Sequence, residues 1–218
     1  MKTRFSSIAS MTTTPLVQAL FLQPFVVELI DGILPYERFV YFIRQDSLYL
    51  SAYGRALSLT AGKLTNLEDI SCALNFASKA LTLVNALHSR YLKHYQAVPD
   101  KQKNPACFAY CAHILERASL GSPAESFAAL LPRASLFREL GNHIRSLADT
   151  DNPWFSWVES FSNDDFSLLV DNAATLTDKL ASEASDDDRQ NMLEAYIASS
   201  RYEFALVEDA YQLREWPA

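Results

Sequence analysis

The sequence predicts an all-α protein built as one domain over residues 1–218. Three observations carry that prediction. Apolar residues recur at helical spacing almost throughout, and no convincing alternating run marks a strand. Helix starts are signalled by cap residues, three of them followed directly by proline. Only 5 Gly and 9 Pro occur in 218 residues, few for a sheet-rich chain full of tight turns. With 49% hydrophobic and 21% charged residues, the chain can bury one sizeable core and is not expected to be disordered.

In order, the spacing gives about seven to eight helices. Met1 to Thr14 is rich in Ser and Thr and lacks the apolar stretch of a signal peptide, so residues 1–13 are expected to form a loose segment. A helix near 14–30 stops at the turn Asp31-Gly32, and Leu34-Pro35 opens another near 35–62. A third runs near 66–97. Asn104-Pro105 caps a helix over 104–120, which Gly121 ends. Ser122-Pro123-Ala124-Glu125 is a capping box that opens 123–148. Asn152-Pro153 opens 153–162, and 165–184 follows. Asp186-Asp187-Asp188 forms the first turn of 186–214, where negative charge meets the positive helix end. Connections are short, with no repeat and no linker.

Charge and composition narrow the function. Lys plus Arg number 19 against 26 Asp plus Glu, a net charge of −7, and there is no basic block. Such a chain is a poor partner for nucleic acid or an anionic membrane surface. No apolar run approaches the length needed to span a bilayer. Cys72, Cys107 and Cys111 lack metal-site spacing, and Cys107 and Cys111 stand four apart on a helix. They read as reduced thiols of a cytoplasmic protein.

The most informative segment is Arg44-Gln45-Asp46-Ser47-Leu48-Tyr49-Leu50. A helix turns about 100° per residue, so Asp46, Tyr49 and Tyr53 share one face within an apolar pattern held by Ile43, Leu50 and Leu57. A carboxylate buried beside phenols is costly unless it is paired or used in chemistry. Ser199-Ser200-Arg201-Tyr202-Glu203-Phe204 is a second polar island, beside the stripe Ile197, Phe204, Tyr211. If helices 35–62 and 186–214 pack together, Glu203 faces Asp46 and Tyr49. Two carboxylates in one apolar pocket push their pKa values apart, which suits acid/base work. The plainer alternative leaves Glu203 in solvent or paired with an arginine.

These segments resemble the TenA (thiaminase II) family of thiamin salvage, which has the haem-oxygenase-like helical fold. The resemblance runs from about Leu16 to Trp216. It rests on Gln23-Pro24-Phe25, Asp31-Gly32-Ile33-Leu34-Pro35, Gln45 to Leu50, Ala128-Ala129-Leu130-Leu131-Pro132, Ser199 to Phe204, and Ala210-Tyr211. It implies that Asp46 hydrogen-bonds an aminopyrimidine ring, that Glu203 is the acid/base carboxylate, and that Tyr49 positions Glu203. It also implies that Tyr110 belongs to the pocket wall. In the family a cysteine attacks the ring and the leaving group departs from the adjoining methylene.

The departures from that pattern are informative. The nucleophile of the family follows the Ala-Ala-Leu-Leu-Pro run, and here that position is Arg133. Arginine stays protonated and forms no such adduct. Phe137 and Phe161 stand where the family often has tyrosines. A branch of the family that uses a glutamate instead is not matched at 133 either. Three readings of Arg133 stay open: pairing with Asp46 or Glu203, gripping an anionic ligand, or turning outward after Pro132. Cys107, with His113 six residues on, is a weak substitute nucleophile. Among His88, His94, His113 and His143, only Glu139–His143 has ligand spacing, and His88 has no carboxylate one or two turns before it. No metal and no cofactor is expected.

The expectation is therefore a haem-oxygenase-like bundle that binds, and in its catalytic form hydrolyses, a thiamin-related aminopyrimidine or similar small heterocycle. Asp46, Tyr110, Arg133, Phe137 and Phe161 would bind it, and Glu203 with Tyr49 would act on it. The alternatives are a non-catalytic ligand-binding or interaction protein and, behind it, a metal-dependent oxygenase. The resemblance further implies a homo-oligomer, dimer or tetramer.

Overall fold

A computed structural model describes residues 3–98 and 100–217. Among the described residues nine helices follow one another: α1 (Phe5–Phe21), α2 (Pro24–Ile30), α3 (Tyr36–Ala61), α4 (Leu67–His94), α5 (Pro105–Leu120), α6 (Pro123–Leu147), α7 (Phe155–Phe161), α8 (Asp164–Glu183) and α9 (Asp186–Gln212). From α3 to α9 the spans follow the apolar periodicity closely. Two of the three predicted caps, Asn104 and Ser122, are in place, and Ser185 caps α9 as well. Asn104 Oδ1 accepts from Cys107 N at 2.8 Å, Ser122 Oγ from Glu125 N at 3.2 Å, and Ser185 Oγ from Asp188 N at 3.1 Å.

The start of the chain differs from expectation. The stretch read as loose is the first half of α1, which begins at Phe5. Phe5, Ala9, Thr13, Val17 and Leu20 recur on one face and are buried. Ser6 donates from N and Oγ to the Asp178 carboxylate on α8, at 2.7 and 2.8 Å. The threonines that suggested looseness bond back to their own helix, Thr13 Oγ1 to Ala9 O at 3.0 Å among them. Met1 and Lys2 lie outside the described residues. The helix expected at 14–30 is also two helices, α1 and α2. Pro24 begins α2, and the chain bends by 65° at the break. Gln23 Nε2 donates to Phe204 O at 3.0 Å and ties this corner to α9.

Two turns show how local chemistry sets direction. Gly32 sits at φ 71°, a left-handed conformation that suits glycine, and it ends α2. Asn152 does not cap α7 as expected. Its Oδ1 closes a turn onto Trp154 N at 2.9 Å, while Nδ2 donates to Leu29 O and Ile30 O at the end of α2. The turn uses up residues 152–154, so α7 starts only at Phe155.

One expectation about the apolar runs is corrected. Helix α4 is long and apolar enough to cross a membrane by length and composition, with a mean hydropathy of 1.3 over its most apolar window. From Ile70 to Leu87 it holds a single charged residue, Lys79, and its apolar residues are spread around the helix rather than gathered in one run. In the fold its buried stripe, including Ala73, Phe76, Ala80 and Val84, packs against α3 and α8.

Helix α6 forms the spine. It packs along α9 and against α7 and α8, while α3 lies on α4 and α5 and reaches α6 and α9. At Gly141 the approach of α7 is close: a Cβ there would lie 3.1 Å from the backbone of Phe161. The functional candidates gather where α3, α6 and α9 meet.

Candidate functional site at the α3–α6–α9 junction

Pro132 lies inside α6 just before the junction. It has no N–H to give to the helix, so the local ladder lacks one bond, and nearby carbonyls accept from neighbouring helices. Ser199 Oγ on α9 donates to Ala129 O at 2.7 Å, and Tyr53 OH on α3 donates to Leu130 O at 3.1 Å. These bonds lock α6 between α3 and α9 and aim the next residue, Arg133, inward.

Arg133 is 5% exposed. Its Nη2 donates to Asp46 Oδ2 at 2.6 Å and its Nη1 to Glu203 Oε2 at 3.4 Å. The guanidinium lies over the Phe137 ring, 3.7 Å from its centroid. Of the three readings left open by the sequence, the inward pairing holds, and it engages both carboxylates at once. Phe137 packs edge-on against Phe161 with centroids 5.1 Å apart. With Leu50, Val84 and Phe166 these two rings enclose a cavity of about 20 Å³ beside Arg133.

Asp46 has a second partner that the sequence reading missed. His88 on α4 places Nε2 2.9 Å from the same Oδ2, and its Nδ1 lies 2.9 Å from Ser47 Oγ. His88 is 3% exposed, on the stripe Ala80, Val84, Leu87 and Tyr91. That placement was the available signal: a histidine within an apolar stripe needs a polar neighbour across the interface. Its carboxylate partner is on α3 and not one or two turns away on its own helix.

The two carboxylates titrate in opposite directions. Burial works to raise Asp46, but Arg133 and His88 outweigh it and hold its pKa below the ordinary value. Glu203 is dominated by burial and is pushed up to about 7, with the more distant Arg133 contact only partly offsetting this. One group is therefore a fixed anion, and the other holds a proton near neutrality.

Two stacked phenols complete the site. Tyr49 and Tyr110 lie with centroids 4.4 Å apart, and Tyr110 stacks in turn on Tyr202 at 5.6 Å. Burial raises the pKa of both Tyr49 and Tyr110 far above the ordinary value, so both stay protonated. Tyr49, expected to position Glu203, makes no hydrogen bond to it. Glu203 Oε2 is taken by Arg133, and the Tyr110 hydroxyl lies near enough to the Glu203 carboxyl to lower its pKa, although the two are outside hydrogen-bond geometry. The structure thus brings Asp46, Tyr49, Tyr110, Arg133 and Glu203 together, with Phe137 and Phe161 on the far side of the guanidinium.

Four buried polar atoms here have no hydrogen-bond partner: Asp46 Oδ1, Glu203 Oε1, Tyr49 OH and Tyr110 OH. Buried polar groups are normally paired, so four orphans at one junction are unusual. They present two acceptors and two donors, the complement of a small flat molecule bearing both N–H groups and ring nitrogens.

The other candidates fall away from this geometry. The Cys107 thiol donates to Gln45 O at 3.3 Å, and the neighbouring Cys111 together with burial raises its pKa, which removes the thiolate. His113 meets Ala195 O and Tyr202 rather than Cys107. His143 stacks on Phe21 with centroids 4.0 Å apart. Among the described residues no three His, Cys, Asp or Glu side chains cluster as a metal site would require.

Comparison with known proteins agrees with this architecture. The profile of the TENA/THI-4/PQQC family matches residues 13–212, and the chain belongs to that family. It is 28% identical over 201 residues to the aminopyrimidine aminohydrolase of Bacillus subtilis, covering 90% of this chain and 85% of that one. It is 27% identical over 208 residues to the aminopyrimidine aminohydrolase of Halalkalibacterium halodurans, covering 93% of each. A TenA homologue from P. horikoshii superposes with a TM-score of 0.86 at 22% identity, over 96% of this chain and 99% of its own. The fold is the all-α, haem-oxygenase-like bundle that the sequence implied.

Proposed function

We propose that the chain binds a small aminopyrimidine at the α3–α6–α9 junction and hydrolyses it, releasing an amine. The observation that carries this reading is the pairing of an ionised Asp46 with a Glu203 that titrates near 7, beside two protonated phenols. Asp46 accepts from the amino group of the ring. Glu203 has the pKa of an efficient proton carrier at neutral pH. As its anion it takes a proton from water while the water oxygen bonds to the carbon that carries the departing amine. The C–N bond breaks and Glu203 returns the proton to that nitrogen. Tyr110, held in place by stacking on Tyr49, supports the Glu203 carboxyl. Phe137 and Phe161 supply the apolar wall for the ring. Water is the nucleophile because position 133 holds an arginine and Cys107 is protonated. The relatives named aminopyrimidine aminohydrolase support the substrate class.

One observation favours a second reading. Arg133 engages both carboxylates, as in a binding protein that has given up chemistry. Incubation with a panel of aminopyrimidines, followed by assay of released amine, separates the two. Turnover in the wild type and its loss in Glu203→Gln support hydrolysis. Turnover that survives Glu203→Gln overturns the acid/base assignment, and binding without amine release leaves the second reading. We also propose a homo-oligomer, to which exposed apolar residues on α4 such as Leu67 and Leu74 would contribute. Light scattering that returns a monomer overturns it.

A further inference from the structure

We infer that the Arg133 guanidinium is a tethered occupant of the ligand socket, so that ligand and arginine compete for the same carboxylates. This deepens the binding reading above and rests on it for the identity of the natural ligand, but not for the existence of the socket.

The chemistry of the group is the first reason. A guanidinium is a planar N–C–N unit with N–H donors at its edge, and an aminopyrimidine presents the same planar N–C–N frame where its amino group meets a ring nitrogen, the amino group donating and the ring nitrogen accepting, for instance from a protonated carboxyl, unless it is itself protonated. Arg133 offers that edge to Asp46 at 2.6 Å and to Glu203 at 3.4 Å, and lays its face 3.7 Å from the Phe137 centroid. Donors to a carboxylate along one edge and an aromatic ring under the face are also what would hold a flat heterocycle.

Space is the second reason. About 20 Å³ remains beside the guanidinium, and about 10–15 Å³ is what a single water requires. A six-membered ring cannot enter while the guanidinium stays. Charge is the third. Arg133 already faces two carboxylates, so the site has no unspent positive charge to attract an anionic ligand. A cationic or neutral amidine-like molecule that takes over the bonds of Arg133 fits better.

The test uses two probes, methylguanidinium and 4-aminopyrimidine, titrated calorimetrically into wild type and Arg133→Ala. Removing the side chain should open the socket, so both probes should bind Arg133→Ala at least tenfold more tightly than wild type. Methylguanidinium should also raise its Tm while leaving the wild-type Tm unchanged. If methylguanidinium gains affinity and no aminopyrimidine binds either protein, the socket stands and the proposed substrate class falls. If neither probe gains on removal of Arg133, the inference is overturned. Should Arg133→Ala fail to fold, Arg133→Gln, which keeps a planar amide without charge, carries the same comparison, and equal or weaker binding of both probes to it overturns the inference.

Discussion

Two arginines on α6, five residues apart, face opposite fates. Arg133 meets Asp46 at 2.6 Å with both side chains at most 6% exposed. Arg138 meets Asp171 at 2.5 Å, but Asp171 is 66% exposed. The distances are nearly equal, and the physics is not. Water screens the outer pair, and its members lose little if parted. The inner pair has given up its hydration, so parting it leaves Asp46 with His88 alone and Arg133 with the longer Glu203 contact alone, each a buried charge only partly compensated. Contact distance therefore says little about function here; burial decides which arginine governs the pKa values around it.

The comparison can be broken or sharpened by measurement. Arg133→Ala should have the largest effect, costing about 3–5 kcal/mol in denaturant unfolding, because it removes the cation that reaches both buried carboxylates and leaves Asp46 with His88 alone. A loss below 1 kcal/mol would mean the inner pair behaves like a surface pair. Next comes pH. The folded pKa of Glu203, about 7, lies above its ordinary value of 4.5, so its protonated form favours the native state. The penalty for ionising it is absent below about 4.5 and complete above about 7. The wild type should lose roughly 3 kcal/mol across that window relative to Glu203→Gln. Parallel stability–pH curves for the two proteins would remove the assignment. Asp46 has the opposite sign: its folded pKa is lowered, so its contribution is present above 3.8 and lost as pH falls through the folded value.

Smaller effects follow. His88→Gln should cost about 1–3 kcal/mol by withdrawing a partner from a buried carboxylate. It should also raise the Asp46 pKa, visible in a carboxyl-carbon NMR titration, whereas a histidine that merely filled space would leave that titration unmoved. Arg138→Ala should cost less than about 1 kcal/mol, and its small effect should shrink further in high salt. A cost matching that of Arg133→Ala would undo the contrast between the two pairs.

Much of the site was legible along the chain. Asp46 and Tyr49 stood out because a carboxylate and a phenol shared a helical face with Ile43, Leu50 and Leu57 close by. Glu203 was legible as part of a polar island, although the stripe beside it was misjudged. Tyr196, Ser199, Glu203, Leu206 and Ala210 form the buried face of α9, while Ile197, Phe204 and Tyr211 are half-buried. Apolarity alone suggested the second set, and only packing against α6 shows that the serines and the glutamate point inward. The start of α1 was hidden in the same way, because a Ser- and Thr-rich stretch reads as loose until its hydroxyls find helix carbonyls and Asp178.

By itself the sequence determined the helices and their order, since periodicity, caps and breakers act over a few residues. It also determined that position 133 carries a permanent charge and no nucleophile. Tertiary structure decided where that charge goes. Packing of α6 between α3 and α9 places Arg133 against Asp46 and Glu203, α4 brings His88 to Asp46 from 42 residues away, and the depth of the junction separates the pKa values of Asp46 and Glu203. Electrostatic free energy depends on burial and on distance through space, and neither quantity is written in the local order of residues.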